Sequence, residues 1–248
     1  MIEKNAKLEA ERLIRSGEQT GIRLRLLGGL AVYLSCPSAT SHVQLQRCYA
    51  DIDLVGLEKA GPRLGQFFTQ LGYTSDQRFN ALHGRTRMIF FNPEDGSHVD
   101  VFLDRFQMCH ALDLRQRLLE GYLTLTLVDL LITKMQIVEL NQKDLKDILA
   151  ILLDHASGPE APDKLDCSYL VSLTSKDWGL FTTLSDNFFK VKEHLSDFLL
   201  PEEIDLVGQR VDLILHTMET APKSMRWRAR ARIGRRMDWY DLPDEVKR

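Results

Sequence analysis

Apolar residues recur along this chain at two spacings, and the change from one to the other divides it. Leu8, Leu13 and Ile14 lie toward one side of a predicted helix that runs to about Ser16 and ends near Gly17. A strand follows from Ile22 to Leu27. Gly28-Gly29 then turns the chain into a second helical pattern, Leu30 to Leu34, which stops at Cys36-Pro37-Ser38. Asp51-Ile52-Asp53-Leu54-Val55 is short and apolar apart from its carboxylates, which predicts a strand. Gly61 to Leu71 reads as a helix. Strands at Arg87–Phe91 and His98–Leu103 flank Asn92-Pro93-Glu94-Asp95-Gly96, whose residue types favour a hairpin turn.

Beyond Asp113 turn residues thin out, and Leu127, Leu130, Leu131, Lys134, Ile137 and Val138 fall at helical spacing. The expected architecture is therefore α/β, a mixed sheet flanked by helices over residues 1–118, followed by a mostly helical domain over 119–248. The clearest break within the helical part is Gly158-Pro159-Glu160-Ala161-Pro162.

Composition narrows the class. With 248 residues and 44% hydrophobic positions the chain can bury a substantial core. No apolar run approaches the roughly 18 residues a membrane span needs, and the charged N-terminus lacks the apolar centre of a secretory signal. We expect no membrane partner and a cytoplasmic protein. Cys36, Cys48, Cys109 and Cys167 show no Cys-x-x-Cys spacing and no histidines pair as His-x-x-x-His, so neither a disulfide framework nor a zinc site is expected. The formal net charge of -3 gives no overall attraction to nucleic acid, so such a partner would need a local basic patch.

The chemistry-bearing residues stand out against this background. Asp51 and Asp53 are two apart on a predicted strand, which places both carboxylates on one face about 7 Å apart. Ionised carboxylates among Ile, Leu and Val need positive compensation, and a divalent cation supplies it. Asp100 repeats the setting in Val99-Asp100-Val101-Phe102. Three such carboxylates are the hard oxygen donors that magnesium prefers. Taken alone, Asp51 and Asp53 also read as a strand end and Gly28-Gly29 as a plain turn. Together, glycines between strand and helix let a phosphate approach backbone amides at the positive helix end.

Leu27-Gly28-Gly29, then Asp51-Ile52-Asp53-Leu54-Val55, then Val99-Asp100-Val101, resembles the nucleotidyltransferase superfamily of DNA polymerase β, and within it the small bacterial minimal and antibiotic-modifying enzymes. The resemblance spans Leu26 to Phe102, and the segment between Gly29 and Asp51 is longer than that family's usual spacing. It implies two magnesium or manganese ions on Asp51, Asp53 and Asp100, and phosphate contact at Gly28 and Gly29. The implied reaction moves a nucleoside monophosphate from a nucleoside triphosphate, ATP among them, to the hydroxyl of an unidentified small-molecule, protein or tRNA acceptor. It also implies that Lys134 touches the triphosphate; the alternative for Lys134 is a side chain snorkelling to solvent. A catalytically inactive domain of the same fold, binding nucleotide, RNA or a partner protein, is the alternative function.

Arg47, Arg85 and Arg87 read as ordinary surface arginines, though each could contact phosphate. Lys143, Asp144 and Asp147 read as a solvated helix face. Arg228, Arg232, Arg235 and Arg236 are expected to share a helical face, through which Arg228, Arg232 and Arg235 could meet RNA; the plainer reading is a basic helix packed down by Trp227 and Ile233.

Overall fold

The computed structural model describes residues 2–49, 51–158 and 163–242. The chain divides into two compact units. One takes Met1–Ser35, Arg47–Phe106 and Leu112–Thr126, and the other takes Cys36–Gln46, Gln107–Ala111 and Leu127–Arg248. The break predicted at residues 158–162 lies, but for Gly158, outside the described residues.

In the first unit helix α1 (Ile2–Gln19) buries Ala6, Ala10, Leu13 and Ile14, which recur at helical spacing, while Leu8 is 56% exposed and does not join that face as expected. The helix also runs past Gly17. That residue is needed for close approach, since a Cβ there would lie 2.5 Å from the carbonyl oxygen of Ile22. The chain turns instead at Gly21, whose φ of +70° is the left-handed region glycine enters without strain.

Strand β1 (Leu24–Leu27) leads directly into helix α2 (Gly28–Ser35). Then come β2 (Ile52–Gly56), α3 (Gly61–Gln70), β3 (Thr74–Ser75), α4 (Gln77–His83), β4 (Arg87–Phe91) and β5 (His98–Leu103). The sheet order is β1-β2-β5-β4-β3, with β2 and β5 parallel and every other neighbouring pair antiparallel. The mixed sheet flanked by helices is thus as expected, and so is the hairpin, which pairs Arg87 with Phe102 and Phe91 with His98. On one side Phe68 stacks on Phe90 with ring centroids 4.0 Å apart, and Tyr73 meets Phe68 edge-on.

Two elements had no apolar signal. β3 is two residues long, and α4 buries none of its residues. The start of α4 is nonetheless fixed by Asp76, whose side chain accepts a hydrogen bond from the backbone N–H of Phe79 at 2.9 Å.

The second unit is helical: α5 (Leu127–Met135), α6 (Gln142–Asp154), α7 (Cys167–Thr174), α8 (Trp178–Glu193), α9 (Pro201–Thr220) and α10 (Met225–Ile233). Side chains of Asn141, Asp166, Asp177 and Ser224 cap α6, α7, α8 and α10. Ile137 and Val138, predicted on the same helix as Leu127, fall beyond its end. The reason is Asn187, whose side-chain amide donates to the carbonyls of Met135 and Ile137 at 2.8 and 2.7 Å and takes over the role of further helical bonds. Among the described residues no helix is long and apolar enough to cross a membrane.

Candidate active site

The candidate site is built where β1, β2 and β5 lie side by side. Register puts Leu27 opposite Asp53 and Asp53 opposite Asp100, so both carboxylates stand on one face of the sheet. Asp51 falls just before β2 rather than inside it as predicted, and is exposed. Two ionised carboxylates a strand spacing apart, roughly 5 Å, repel by about 3 kcal/mol at an effective dielectric of roughly 20. Positive charge is therefore required here, and Asp100, only 3% exposed, needs it most.

Arg87 supplies part of it. Its Nε donates to Asp100 Oδ1 at 3.1 Å and its Nη2 lies 3.0 Å from Oδ2, a two-pronged pairing of guanidinium with carboxylate. The same guanidinium lies 4.9 Å from the Phe102 ring centroid and 5.7 Å from that of Phe79. His98 Nε2 lies 3.8 Å from both Asp51 Oδ1 and Asp100 Oδ2, so a protonated ring would offset both. Arg87 was expected to be a surface arginine and is instead the counter-ion of the buried carboxylate. Arg85, exposed and paired with Glu58 at 3.1 Å, is the surface arginine it was expected to be.

Gly28 and Gly29 serve different ends. Because Leu27 is opposite Asp53, the next residue must cross that side chain. Gly28 does so at φ +72°, and a Cβ on it would lie 2.2 Å from Asp53 Oδ2. Gly29 has ordinary helical geometry, but its Cβ would lie 1.9 Å from Arg47 Nη2. Arg47 also covers the Tyr49 ring at 4.1 Å and donates to the Cys48 carbonyl at 3.1 Å, while Tyr49 meets Tyr33 of α2 at 5.1 Å. The first turn of α2 therefore carries a guanidinium beside its backbone amides, an arrangement suited to an anion.

A cleft of about 580 Å³ opens beside Asp51 and His98, with Glu9, Asn92 and Asp95 among its other walls. Glu9 titrates low: burial opposes this, but hydrogen bonds from Arg12 and Tyr73 outweigh it. Asp95 is also held low, by the Ser97 side chain and backbone N–H.

The other residues singled out in the sequence belong to the helical unit. Lys134 Nζ lies 2.9 Å from Asp144 Oδ1 and 3.0 Å from Asp147 Oδ2. Burial works against its charge, yet Asp147 and then Asp144 outweigh it and hold the ammonium above the ordinary lysine value. Asp144 and Asp147 are 5% and 0% exposed, which corrects the expected solvated face: both are buried and paired with the half-buried Lys134. Arg228, Arg232 and Arg235 do not share one helical face as expected. The helix stops at Ile233, Gly234 turns the chain at φ +61°, and Arg235 pairs with Asp186 at 2.6 Å over the Trp239 ring. Ile233, expected to pack the helix down, is 41% exposed, whereas Trp227 does pack, edge-on to Phe181 at 5.4 Å.

No family model matches the sequence, and no curated protein matches it. Among solved structures the chain is similar to the antibiotic-resistance factor ANT(2'')-Ia, at 10% identity over 79% of this chain and 100% of that one, with a TM-score of 0.42. It is also similar to an antigenic nucleotidyltransferase-like protein from Paracoccidioides brasiliensis, at 14% identity over 90% of this chain and 94% of that one, with a TM-score of 0.38.

Proposed function

We propose that the sheet-bearing unit is a metal-dependent nucleotidyltransferase, moving a nucleoside monophosphate from a nucleoside triphosphate to the hydroxyl of an acceptor. The observation that carries this reading is the register pairing of Asp53 with Asp100 on adjacent parallel strands, with the Gly28 turn laid across Asp53. Asp51, Asp53 and Asp100 would hold magnesium or manganese. Hard oxygens suit such a cation, Asp53 and Asp100 share one face of the sheet, and Asp100 already pairs with the Arg87 guanidinium. Among the described residues no three acidic, histidine or cysteine side chains are gathered closely enough to hold a metal as they stand. A cation on Asp100 would compete with Arg87, which pairs with both of its oxygens.

When bound, two divalent ions polarise the α-phosphate and stabilise the departing pyrophosphate. The chain's own residues do the rest. Gly28 and Gly29 let the triphosphate reach the amides of α2, and Arg47 adds a charge there. Arg87 would add positive charge beside Asp100, and Asp100 would accept the proton of the attacking hydroxyl. The acid-rich cleft beside Asp51 repels phosphate and suits an uncharged or cationic acceptor.

The alternative, an inactive domain of the same fold, is favoured by one observation: Arg87 pairs with both carboxylate oxygens of Asp100. The test is to incubate the protein with each α-labelled triphosphate, magnesium and a cell extract. Label transferred with pyrophosphate release, lost in Asp53→Asn and in Asp100→Asn, supports the transferase. Orthophosphate release would instead identify a phosphohydrolase, and metal binding with no turnover of any triphosphate would leave the inactive domain.

A further inference from the structure

The arginine-rich end of the chain forms a cleft that the proposed activity does not use. Ser224 caps α10 by accepting from the Trp227 backbone N–H, and Lys223 lies over the rings of Phe181 and Trp227 at 4.8 and 5.5 Å. After Gly234 the chain doubles back, and Arg230 fastens the return by donating to the carbonyls of Gly234, Met237 and Asp238 at 2.7, 2.9 and 3.2 Å. Trp239 Nε1 then donates to Thr183 at 3.1 Å, and Asp241 N–H to Cys109 at 3.0 Å. The fit is close enough that a Cβ on Gly179 would lie 2.7 Å from the Trp239 carbonyl oxygen. What results is a cleft of about 340 Å³ whose walls include Trp178, Trp227, Trp239, Lys176, Arg226 and Arg230.

Its chemistry is two-sided. Three indoles give flat apolar surface, and Arg230 lies 4.7 Å from the Trp178 ring centroid. Three cations face one carboxylate, Asp177, which is already engaged as the cap of α8 through the Leu180 N–H at 3.0 Å. The ligand that answers both is planar, aromatic and anionic. A volume of about 340 Å³ is at the small end of ligand sites, which span roughly 300–1,000 Å³, so it admits one base with its phosphate.

We propose that this cleft binds a single nucleotide unit, its base against the indoles and its phosphate between Lys176 and Arg226, either as a free nucleotide or as the end of an RNA strand. The site is built from the helical unit alone and stands whether or not the sheet-bearing unit is an enzyme. It also moves the basic recognition surface from Arg228, Arg232 and Arg235 to residues that converge.

The test is quenching of tryptophan fluorescence in the full chain. The probes are AMP, adenosine, inorganic phosphate and a five-nucleotide RNA ending in a phosphate. AMP or the RNA should quench saturably, with adenosine and phosphate each weaker by about tenfold or more, since each keeps only half of the recognition. The exposed residues Lys176 and Arg226 can be changed without disturbing the fold, and Lys176→Gln with Arg226→Gln should weaken binding about tenfold. RNA binding tighter than AMP names the strand end as the source; equal or weaker binding names the free nucleotide. Binding that survives the double variant, or is lost in Asp53→Asn instead, overturns the proposal, as does the absence of saturable quenching by either probe at millimolar concentration.

Discussion

Three glycines in the sheet-bearing unit separate backbone strain from disturbance of the site, and alanine at each is the perturbation. Gly21 has φ +70° and open space around its missing Cβ; Gly28 has φ +72° and Asp53 Oδ2 only 2.2 Å from that position; Gly29 has ordinary φ and meets Arg47 Nη2 at 1.9 Å. Left-handed backbone costs a non-glycine residue about 1–2 kcal/mol. For a chain of this size that lowers the melting temperature by about 2–8 °C, at roughly 2–4 °C per kcal/mol. Gly21→Ala and Gly28→Ala should therefore lose comparable stability from strain, with Gly28→Ala losing somewhat more because the Asp53 carboxylate must move.

Gly29→Ala differs in sign. Helical alanine gains about 0.5–1 kcal/mol over glycine, and the obstructing atom is the far end of a flexible side chain, so stability should be unchanged or slightly higher. Function should sort the three otherwise: Gly21→Ala keeps triphosphate turnover, Gly28→Ala loses it with Asp53 displaced, and Gly29→Ala weakens triphosphate binding by moving Arg47. Differential scanning fluorimetry and turnover assays give both readings on the same samples. Gly28→Ala with the turnover of Gly21→Ala would refute the role of Gly28 at Asp53. Gly29→Ala as unstable as Gly28→Ala would refute the assignment of strain.

Magnesium should raise the melting temperature, Asp51→Asn with Asp53→Asn should abolish the rise, and Arg87→Gln should lower stability in EDTA while enlarging the rise, because metal and guanidinium compete for Asp100; a rise unaffected by Arg87→Gln would count against that competition. Asp147→Asn leaves Lys134 with Asp144 alone and should cost toward the lower end of the roughly 3–5 kcal/mol typical of a broken buried pair, read by urea unfolding; a loss too small to measure would show the triad to be wet. His110 is buried against Thr183 at 2.8 Å, and burial pulls its pKa below the ordinary 6.5, with Asp177 and Asp241 opposing. A lowered pKa means its stabilising share is complete above 6.5 and is lost as pH falls below it, when the unfolded state takes up a proton the buried ring refuses; urea unfolding should show that acid loss reduced in His110→Gln.

The parts of the sheet that could be read from the chain were those with strong local signals. The hairpin of β4 and β5 combines two apolar runs with a turn of Asn, Pro, Asp and Gly, and it formed between the expected residues. α4 escaped because it buries nothing and so carries no apolar period, yet its capping Asp76 was there to be read. Asp51 lies one residue outside the strand that its apolar neighbours predict. Strand ends are set by pairing partners, and the β2 ladder begins at the partnership of Ile52 with Val99.

At the site, carboxylates were legible and their counter-ions were not, for a geometric reason. An Asp among Ile, Leu and Val is conspicuous in any sequence, whereas an Arg or His reads as surface until its neighbour is known. The neighbours did follow from the hairpin: with Phe91 opposite His98, Ile89 falls opposite Asp100, which makes Arg87 a diagonal neighbour of Asp100 on the same face. His98 and Asp100 are two apart on one strand and share that face too. The register by itself puts both side chains beside Asp100. The Lys134 triad was different, since it joins α5 to α6 and no local period relates Lys134 to Asp147. The formal charge of -3 conceals all of this, because it sums over positions. What decides the chemistry is that Asp100 and Asp147 are buried beside particular cations, while Lys176, Arg226 and Arg230 converge around a carboxylate already committed to capping its helix.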